Sequence, residues 1–335
     1  MTVIVDGMGG DHAPLEILKG CAAAVEELGI NVIVTGPEEL LKKTMEENDI
    51  APRNISFRHT DGIITMEDEA GCVLKAKRNS SMGLAFDLLK NGEADAMVSA
   101  GNSGAVLAGG TLLVKRIPGI KRAAFAPVLP VNDKHTMLID SGANEVCTPE
   151  YLDQFGTMGA LYMKHMGFCE NPRVGLLNNG TEECKGTELH KQAHALMKEN
   201  AAYEFIGNVE GRGVFDGECD VLVADGFSGN VLLKSVEGTA TYIMKIMKEA
   251  LTSSLFTKIL AAMLKPKLRV MKKKLDYTEE GGAVLLGVCK PVVKAHGSSN
   301  AKALKNAIRQ AANLAKSGAI DHITQAIKET ETPKN

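Results

Sequence analysis

The sequence predicts an α/β fold in which a mostly parallel sheet is flanked by helices. Short runs of Val, Ile, Leu and Ala alternate with longer segments of helical periodicity along almost the whole chain. Several of the short runs lead directly into loops rich in Gly, Asn and Ser. Because apolar strands separated by helices are typical of parallel sheets covered on both faces, this alternation indicates βαβ units.

Nine short, mostly apolar segments are predicted to be buried strands. They are Thr2–Val5, Asn31–Thr35, Ile55–Phe57, Ala96–Ser99, Ala124–Val128, Thr136–Ile139, Arg173–Leu177, Val221–Ala224 and Ala283–Val288. The segments between them with helical periodicity are Leu15–Leu28, Glu38–Asn48, Met82–Lys90, Pro149–His165, Glu188–Lys198 and Val231–Ala250. Single cores stop growing at roughly 250–300 residues. We therefore expect residues 1–335 to form one α/β/α unit or two intertwined subdomains.

Charge and cysteine content exclude several classes of protein. The chain has 38 Lys and Arg against 41 Asp and Glu, so its net charge of −3 gives no electrostatic basis for binding nucleic acid. Its seven cysteines are scattered and form no Cys-x-x-Cys pair, so neither a disulfide framework nor a zinc site is expected. No basic or long apolar segment precedes Asp6, and we expect a cytoplasmic protein.

The first predicted strand is followed by the glycine-rich loop Asp6–Pro14. Its spacing is Gly-x-Gly-Gly, whereas the dinucleotide fingerprint is Gly-x-Gly-x-x-Gly, and Asp11 would direct a carboxylate toward a pyrophosphate. No acidic residue ends the second strand, where one would bind the ribose. A nicotinamide site is therefore not favoured.

The loop Ser99–Ala105 is the strongest candidate for binding a small anion. Gly101 and Gly104 let the backbone come close to a ligand, and Asn102 and Ser103 add side-chain donors. Free amides at the start of the following helix, together with its dipole, favour negative charge. The alternative is a tight turn with a helix cap.

Four more loops of this kind follow strands: Asp140–Asn144, Asn178–Gly186, Asp225–Asn230 and Lys294–Asn300. The second is not a Walker A loop, because Lys185 precedes Gly186 instead of following it. Lys185 nevertheless stands where a cation could neutralise a phosphate. His190 and His194 have the i, i+4 spacing of a metal pair but lack the neighbouring Glu, so a solvated helix face is favoured and no metal site is expected.

Residues 251–275 are predicted to form an amphipathic, basic helical tip, with seven basic residues and no acidic one. Pro266 should break or kink the helix. The apolar stripe at helical spacing includes Leu255, Phe256, Ile259, Leu260 and Met263. A basic helix with a wide apolar face suits an anionic membrane surface. Burial of the stripe in a helix pair or a subunit interface fits equally well, and both can hold together.

Taken in order, these loops resemble those of one bacterial family, the phosphate acyltransferases known as PlsX. The matching segments, which span nearly the whole chain, are Asp6–Pro14, Asn79–Met82, Ser99–Ala105, Asp140–Asn144, Leu176–Gly186, Gly207–Arg212, Asp220–Gly238, Tyr277–Val288 and Lys294–Ala303. Three positions depart from the pattern: Gly7 replaces the usual Ala, Gly213 the usual Asp, and Val284 the usual Pro.

The resemblance implies that a fatty acyl group moves from acyl carrier protein to inorganic phosphate, giving acyl phosphate for phospholipid synthesis. It implies a homodimer whose fold is like that of the isocitrate and isopropylmalate dehydrogenases, and peripheral association with the membrane. The product would feed a membrane glycerol-phosphate acyltransferase. We expect no cofactor.

This chemistry needs no covalent enzyme nucleophile, because phosphate itself attacks and a thiolate with a pKa near 8.5 is a fair leaving group. The protein must position the reactants, neutralise the attacking anion and stabilise the oxyanion. We assign Lys185 and His296 to charge neutralisation, and Asn230 or the amides near Gly229 to the oxyanion. Asp225 would orient His296 or Lys185, unless it is only a residue of a strand-end turn.

Two other functions are compatible with the sequence. One is a decarboxylating dehydrogenase of related fold that uses NAD and a divalent metal, which the missing fingerprint argues against. The other is a non-catalytic adaptor at the membrane surface that uses only the basic stretch. An adaptor function would leave the many polar loops that follow strands unexplained.

Overall fold

The strands of the molecule form one continuous sheet. The computed structural model describes residues 1–51, 53–275 and 279–331. The eleven strands within that part of the chain are β1 Thr2–Asp6, β2 Asn31–Gly36, β3 Ile55–His59, β4 Ala96–Ser99, β5 Ala124–Val131, β6 Lys134–Ile139, β7 Arg173–Asn178, β8 Glu204–Glu210, β9 Val221–Val223, β10 Ala283–Leu286 and β11 Val292–Lys294. Their order across the sheet is β3-β2-β1-β4-β11-β10-β5-β6-β9-β7-β8.

Ten α-helices are described, and most of them connect or cover strands. They are α1 Leu15–Leu28, α2 Glu38–Glu47, α3 Ser81–Lys90, α4 Ser103–Gly109, α5 Pro149–His165, α6 Glu188–Glu199, α7 Gly226–Leu251, α8 Leu255–Leu275, α9 Ala301–Ser317 and α10 Ala319–Glu331. Short 3-10 segments occur at Ala70–Leu74 and Gly211–Asp216, and a π-helical segment at Gly110–Lys115 follows α4.

The sheet contains two parallel blocks that run in opposite directions. In the first block β3, β2, β1, β4 and β11 are parallel to one another. In the second block β6, β9, β7 and β8 are parallel. Between the blocks, β10 is antiparallel to both β11 and β5, and β5 is antiparallel to β6. The carboxyl ends of the two blocks therefore point toward opposite edges of the sheet.

Alternate residues of each strand face different helical layers, as the pleat of a strand requires. In β1, Val3 and Val5 belong to the same apolar core as Leu18 of α1 and Leu304 of α9. Ile4, between them, packs in a second core that includes Phe86 of α3. The predicted α/β fold with a mostly parallel sheet flanked by helices is confirmed.

Several predicted elements differ from those observed. The strands β8 and β11 were not predicted, because Gly207 interrupts the first and the second is only three residues long. The helix α7 begins at Gly226, so the predicted loop Asp225–Asn230 is mostly its first turn. Pro266 was expected to break or kink the tip; it does not break it, since α8 continues through this residue. Since Ala262, one turn earlier, is exposed, water can take the hydrogen bond that its carbonyl loses.

None of the helices in the described residues has the length and apolar character needed to cross a bilayer.

The packing of α1 against α9 depends on a close approach at Gly20. A Cβ at this position would lie 2.6 Å from Cβ of Leu304 and 2.9 Å from the carbonyl oxygen of Ala301. We expect Gly20→Val to lower the free energy of unfolding by about 1–3 kcal/mol, because the two helices must move apart. Urea denaturation measures this. Gly71→Val is the control, since a Cβ there meets nothing within 4 Å; equal losses for the two variants would contradict this account of the packing.

Candidate functional site

Three loops that follow parallel strands of the first block meet at one edge of the sheet. The backbone N–H of Asp11 donates to the carbonyl of Gly297 at 2.8 Å, which joins the loop after β1 to the loop after β11. The N–H of Ala295 donates to the carbonyl of Ser99 at 2.9 Å and joins β11 to the end of β4. Gly9 lies against the turn after β4, where a Cβ would be 2.6 Å from the amide nitrogen of Gly101.

Asp6, the last residue of β1, lies fully buried beneath these loops. Its carboxylate accepts hydrogen bonds from the hydroxyls of Ser81 at 2.6 Å and Ser99 at 2.7 Å, and from the N–H of Met8 at 3.3 Å. Burial raises the pKa of Asp6, while these hydrogen bonds and the ammonium of Lys294 oppose that rise. The network connects β1, β4 and the start of α3, so it holds the floor of this loop group in place.

Lys294 ends β11 and is the buried cation of this group, with an exposed fraction of 9%. Its ammonium donates to the carbonyls of Ala295 at 2.5 Å and Ala100 at 3.5 Å. Burial and the neighbouring ammonium of Lys234 lower the pKa of Lys294 to about 8, against the opposing effects of the carboxylates of Asp11 and Asp6. At neutral pH a positive charge therefore lies directly behind the turn at residues 100–102.

His296 stands two residues further on, between two cations. Its Nδ1 is 2.8 Å from the hydroxyl of Ser298, and its Nε2 is 3.5 Å from Nζ of Lys234 in α7. Burial and then the ammonium of Lys234 lower the pKa of His296 and outweigh Glu237, which raises it; Lys294 lowers it and Asp11 raises it by smaller amounts. A lowered pKa leaves the imidazole neutral at pH 7, so the positive charge that we expected from His296 comes instead from the two lysines.

The predicted anion loop begins α4, but its side chains are used differently from the expectation. Asn102 is buried and caps the helix, since its Oδ1 accepts from the N–H of Ala105 at 3.0 Å. Its Nδ2 donates to the carbonyls of residues 65, 66 and 68, so this side chain holds that segment against the turn. Gly101 is buried, Gly104 is half-buried and Ser103 is exposed, so Ser103 is the residue of this turn that faces outward.

A second group of loops lies at the carboxyl ends of the other parallel block. The N–H of Gly226 donates to the carbonyl of Asn144 at 2.7 Å, and a Cβ at Gly229 would be 1.9 Å from the carbonyl oxygen of Asp140. The start of α7 is therefore fitted closely against the loop after β6. Asn230 is exposed, and its side chain lies next to Gly142, where a Cβ would be 3.5 Å from the Asn230 Cγ atom.

Lys185 and Asp225 belong to this second group. The loop of Lys185 is fixed by Asn178, whose Nδ2 donates to the carbonyl of Lys185 at 3.2 Å, while the lysine side chain is exposed. Asp225 is the N-cap of α7 and accepts from the N–H of Ser228 at 2.9 Å. Burial lowers the pKa of His190 in α6, and the charge of Asp225 opposes this change. Orientation of His296 or Lys185 by Asp225 stays a prediction.

The first turns of α7 join the two loop groups. Asn230 and Lys234 are four residues apart, so they lie one above the other on one helix face, about 6 Å apart along the axis. Asn230 faces the loop after β6, and Lys234 reaches His296 after β11. The residues assigned from the sequence thus fall into two groups, which α7 brings to neighbouring positions.

The paired histidines of α6 form no metal site. His194 is buried and packs edge-on against Phe205 with ring centres 5.0 Å apart, so the expected solvated face was wrong for it. Among the described residues, no group of three or more His, Cys, Asp or Glu side chains is placed to hold a metal ion.

Comparison with known proteins identifies the family. A family model described as fatty acid synthesis protein matches residues 1–322. The chain belongs to this family. Curated relatives named phosphate acyltransferase include one from Thermoanaerobacterium thermosaccharolyticum, 46% identical over 98% of this chain and 97% of its own. Another, from Geobacillus thermodenitrificans, is 45% identical over 98% of this chain and all of its own. The resemblance to the phosphate acyltransferases is confirmed.

Solved structures share the fold of this fatty acid synthesis family member. The EutD phosphotransacetylase from Staphylococcus aureus superposes with a TM-score of 0.63 at 15% identity, covering 94% of each chain. A phosphotransacetylase from Streptococcus pyogenes gives a TM-score of 0.64 at 16% identity, also covering 94% of each chain. At such identities the likeness establishes a common fold.

Sequence reasoning missed Asp6, Lys234 and Lys294 as site residues. Asp6 and Lys294 each end a short apolar strand, and a single charged residue in that position was the available signal. Lys234 gave no such signal, because it lies two turns inside a long helix and contacts His296 only through the fold.

The apolar stripe of the predicted helical tip is exposed where its side chains are described. Phe256, Ile259 and Met263 are 70%, 63% and 75% exposed. Leu255 and Leu260 are in α8, but their side chains lie outside the described part of the chain.

The lowered pKa of Lys294 predicts a pH-dependent stability. Since its pKa rises from about 8 in the folded state to the usual 10.5 on unfolding, the unfolded chain binds more protons in that window. The free energy of unfolding of the wild type should therefore rise, relative to Lys294→Met, by about 2–3 kcal/mol between pH 7.5 and pH 10. Urea denaturation at both pH values measures this. Lys290→Met, which removes an exposed lysine before β11, is the control, and a constant difference between wild type and Lys294→Met would disprove the assignment.

Proposed function

We propose that this phosphate acyltransferase binds inorganic phosphate between Lys234, Lys294 and the turn at residues 101–104. The observation that carries the proposal is the meeting of two ammonium groups and a neutral imidazole beside the turn that presents the exposed Ser103. An anion there gains charge-assisted hydrogen bonds in a partly dry site, where such bonds are strongest. Ser103 and Gly104 supply the amides and hydroxyl, Gly101 forms the turn with its own amide donating to Ser99 Oγ at 3.0 Å, and Asn102 keeps the turn in place.

The donor in this proposal is a fatty acyl thioester of acyl carrier protein. An oxygen of hydrogen phosphate attacks the thioester carbon, the carbon–sulfur bond breaks, and the products are acyl phosphate and a free thiol. The proton of the hydrogen phosphate goes to the departing sulfur. His296, neutral and next to the two cations, is placed to hold and pass on that proton. No electrons are exchanged, so no redox cofactor takes part.

The second loop group completes the site in this proposal. Asn230 of α7 or the amide of Gly229 donates to the oxyanion that forms at the thioester carbon. The exposed ammonium of Lys185 neutralises phosphate or the phosphate of the carrier's prosthetic arm as the substrate enters. Asp225 acts by capping and fixing the start of α7, which positions Asn230 and Lys234. These roles follow from position on α7 and from residue chemistry.

We further propose a homodimer that works at the cytoplasmic face of the membrane, with an architecture like the isocitrate and isopropylmalate dehydrogenases. The outer face of α7 carries Tyr242, Ile243 and Ile246, which are 64%, 50% and 46% exposed. A second copy of the chain would cover this face. The tip of α8 would then contact anionic lipid with Phe256, Ile259 and Met263, and deliver acyl phosphate to a membrane glycerol-phosphate acyltransferase.

Removing a phosphate-binding cation should weaken the use of phosphate selectively. We expect Lys234→Met and Lys185→Met each to raise KM for phosphate about tenfold, with a smaller effect on KM for the thioester, because a charge-assisted hydrogen bond is lost. Trapping of acyl phosphate with hydroxylamine gives the rates. Lys316→Met, an exposed lysine at the end of α9, is the control. An unchanged KM for phosphate would remove the substituted lysine from the site.

Charge introduced at the tip should weaken membrane binding. Ile259→Glu is expected to reduce co-sedimentation with anionic vesicles about tenfold, because a buried apolar contact is replaced by a carboxylate. Leu112→Glu changes an exposed leucine, 58% accessible, outside the tip and should bind as the wild type does. If Ile259→Glu sediments normally, the tip does not contact lipid; if the variant becomes monomeric, the stripe is a subunit interface.

A further inference from the structure

A groove of about 1010 Å³ runs between α7 and α8 and opens at the candidate site. Its inner end is lined by His296, Ser298 and Ser299, all in the loop after β11. From there it follows α7 as far as Leu251, about 20 Å from Glu237 at the helical rise. The groove is therefore continuous with the group that would meet the thioester, and long enough for an extended hydrocarbon chain.

The walls of the groove are mostly apolar. Ala240, Met244, Met247 and Leu251 of α7 follow each other at spacings of four, three and four residues, so they share one helix face. Across the groove, Ala261, Lys265 and Leu268 have the corresponding spacing on α8. Methionine side chains adapt to chains of different length, and the stem of Lys265 extends the apolar wall while its ammonium stays in water.

The groove faces are distinct from the surfaces that a second copy or a membrane would cover. On α7, Met244 and Met247 are half-buried, whereas Ile243 and Ile246 are exposed and lie on the adjacent side of the helix, about 100° away. On α8, Ala261 lines the groove, whereas the exposed Ile259 and Met263 fall on another side of the helix. Each helix thus has two apolar faces, and a partner on the outer faces leaves the groove free for a ligand.

We propose that the α7–α8 groove binds the fatty acyl chain of the substrate, with its thioester end at His296 and its methyl end toward Leu251. This inference rests on the proposed function and adds the site that selects substrates by the length of their acyl chain. Hydrocarbon is the occupant that fits, because most of the groove surface is apolar and the apolar side chains follow one line. The imidazole and hydroxyls lie at the inner end, and the lysines further out, Lys245, Lys248 and Lys265, contribute their methylene stems to the wall. Each methylene that can no longer be buried in the groove weakens binding by a similar amount, and a long chain has more such methylenes than a short one.

The test compares hexadecanoyl and octanoyl thioesters of acyl carrier protein with the full-length protein, by hydroxylamine trapping of acyl phosphate. Ala261→Trp should lower the ratio of kcat/KM for the long donor to that for the short donor at least about tenfold, because the indole fills the groove. Ala262→Trp, in the neighbouring exposed alanine that does not line the groove, should leave this ratio within about twofold.

Two further variants separate occupation of the groove from damage to the fold. Leu251→Trp at the outer end should reduce only the rate with the hexadecanoyl donor, whereas Ala240→Trp near His296 should reduce the rates with both donors. A general loss of structure would lower all rates in proportion. If the long-to-short ratio of kcat/KM values is unchanged in Ala261→Trp, the proposal is overturned. If the oligomeric state of this variant changes instead, the groove is occupied by a second copy of the chain. If the wild type forms no acyl phosphate from either donor, the proposed function itself fails; wild-type turnover with unaltered ratios rejects the groove alone.

Discussion

The contact between Lys234 and His296 joins two groups of loops that the sheet itself keeps apart. The two parallel blocks run in opposite directions, so the loop after β11 and the loop after β6 leave the sheet at different edges. The helix α7 starts against Asp140 and Asn144 and reaches His296 two turns later. The close fit of Gly226 and Gly229 therefore sets where Asn230 and Lys234 stand, and the site depends on it.

Burial determines the electrostatics of the site more than the number of charges does. Lys294 is held between backbone carbonyls with Asp6 and Asp11 as its neighbouring acids, so its charge is retained at neutral pH although burial opposes it. His296 is also affected by burial, which together with the nearby ammonium of Lys234 lowers its pKa, so its imidazole is neutral at pH 7. The arrangement thus offers fixed positive charge and a group able to carry a proton within one small volume, which is what attack by phosphate on a thioester requires.

In our proposals the helices α7 and α8 combine several functions, because each has more than one apolar face. The groove face leads to His296, and the outer faces carry the exposed Tyr242, Phe256 and Met263. A substrate chain, a second subunit and a lipid surface can therefore contact the same two helices without competing for the same side chains. Product release next to the tip would place a reactive acyl phosphate close to the membrane.

The sequence by itself determined the fold class, the family and the positions of most strand-end loops, because apolar periodicity and glycine-rich turns are local properties. It did not show where the sheet changes direction at β10 and β5. The neighbouring strand β11, Val292–Lys294, is only three residues long and is too short to be recognised from its sequence pattern. Nor could the sequence show that the side chain of Asn102 binds the segment at residue 65, or that the side chain of Asp225 caps the helix α7. Which charges meet, and which of them are desolvated, was decided by the tertiary structure alone, because Asp6, Lys234 and Lys294 lie far apart in the chain and their protonation depends on burial that only packing creates.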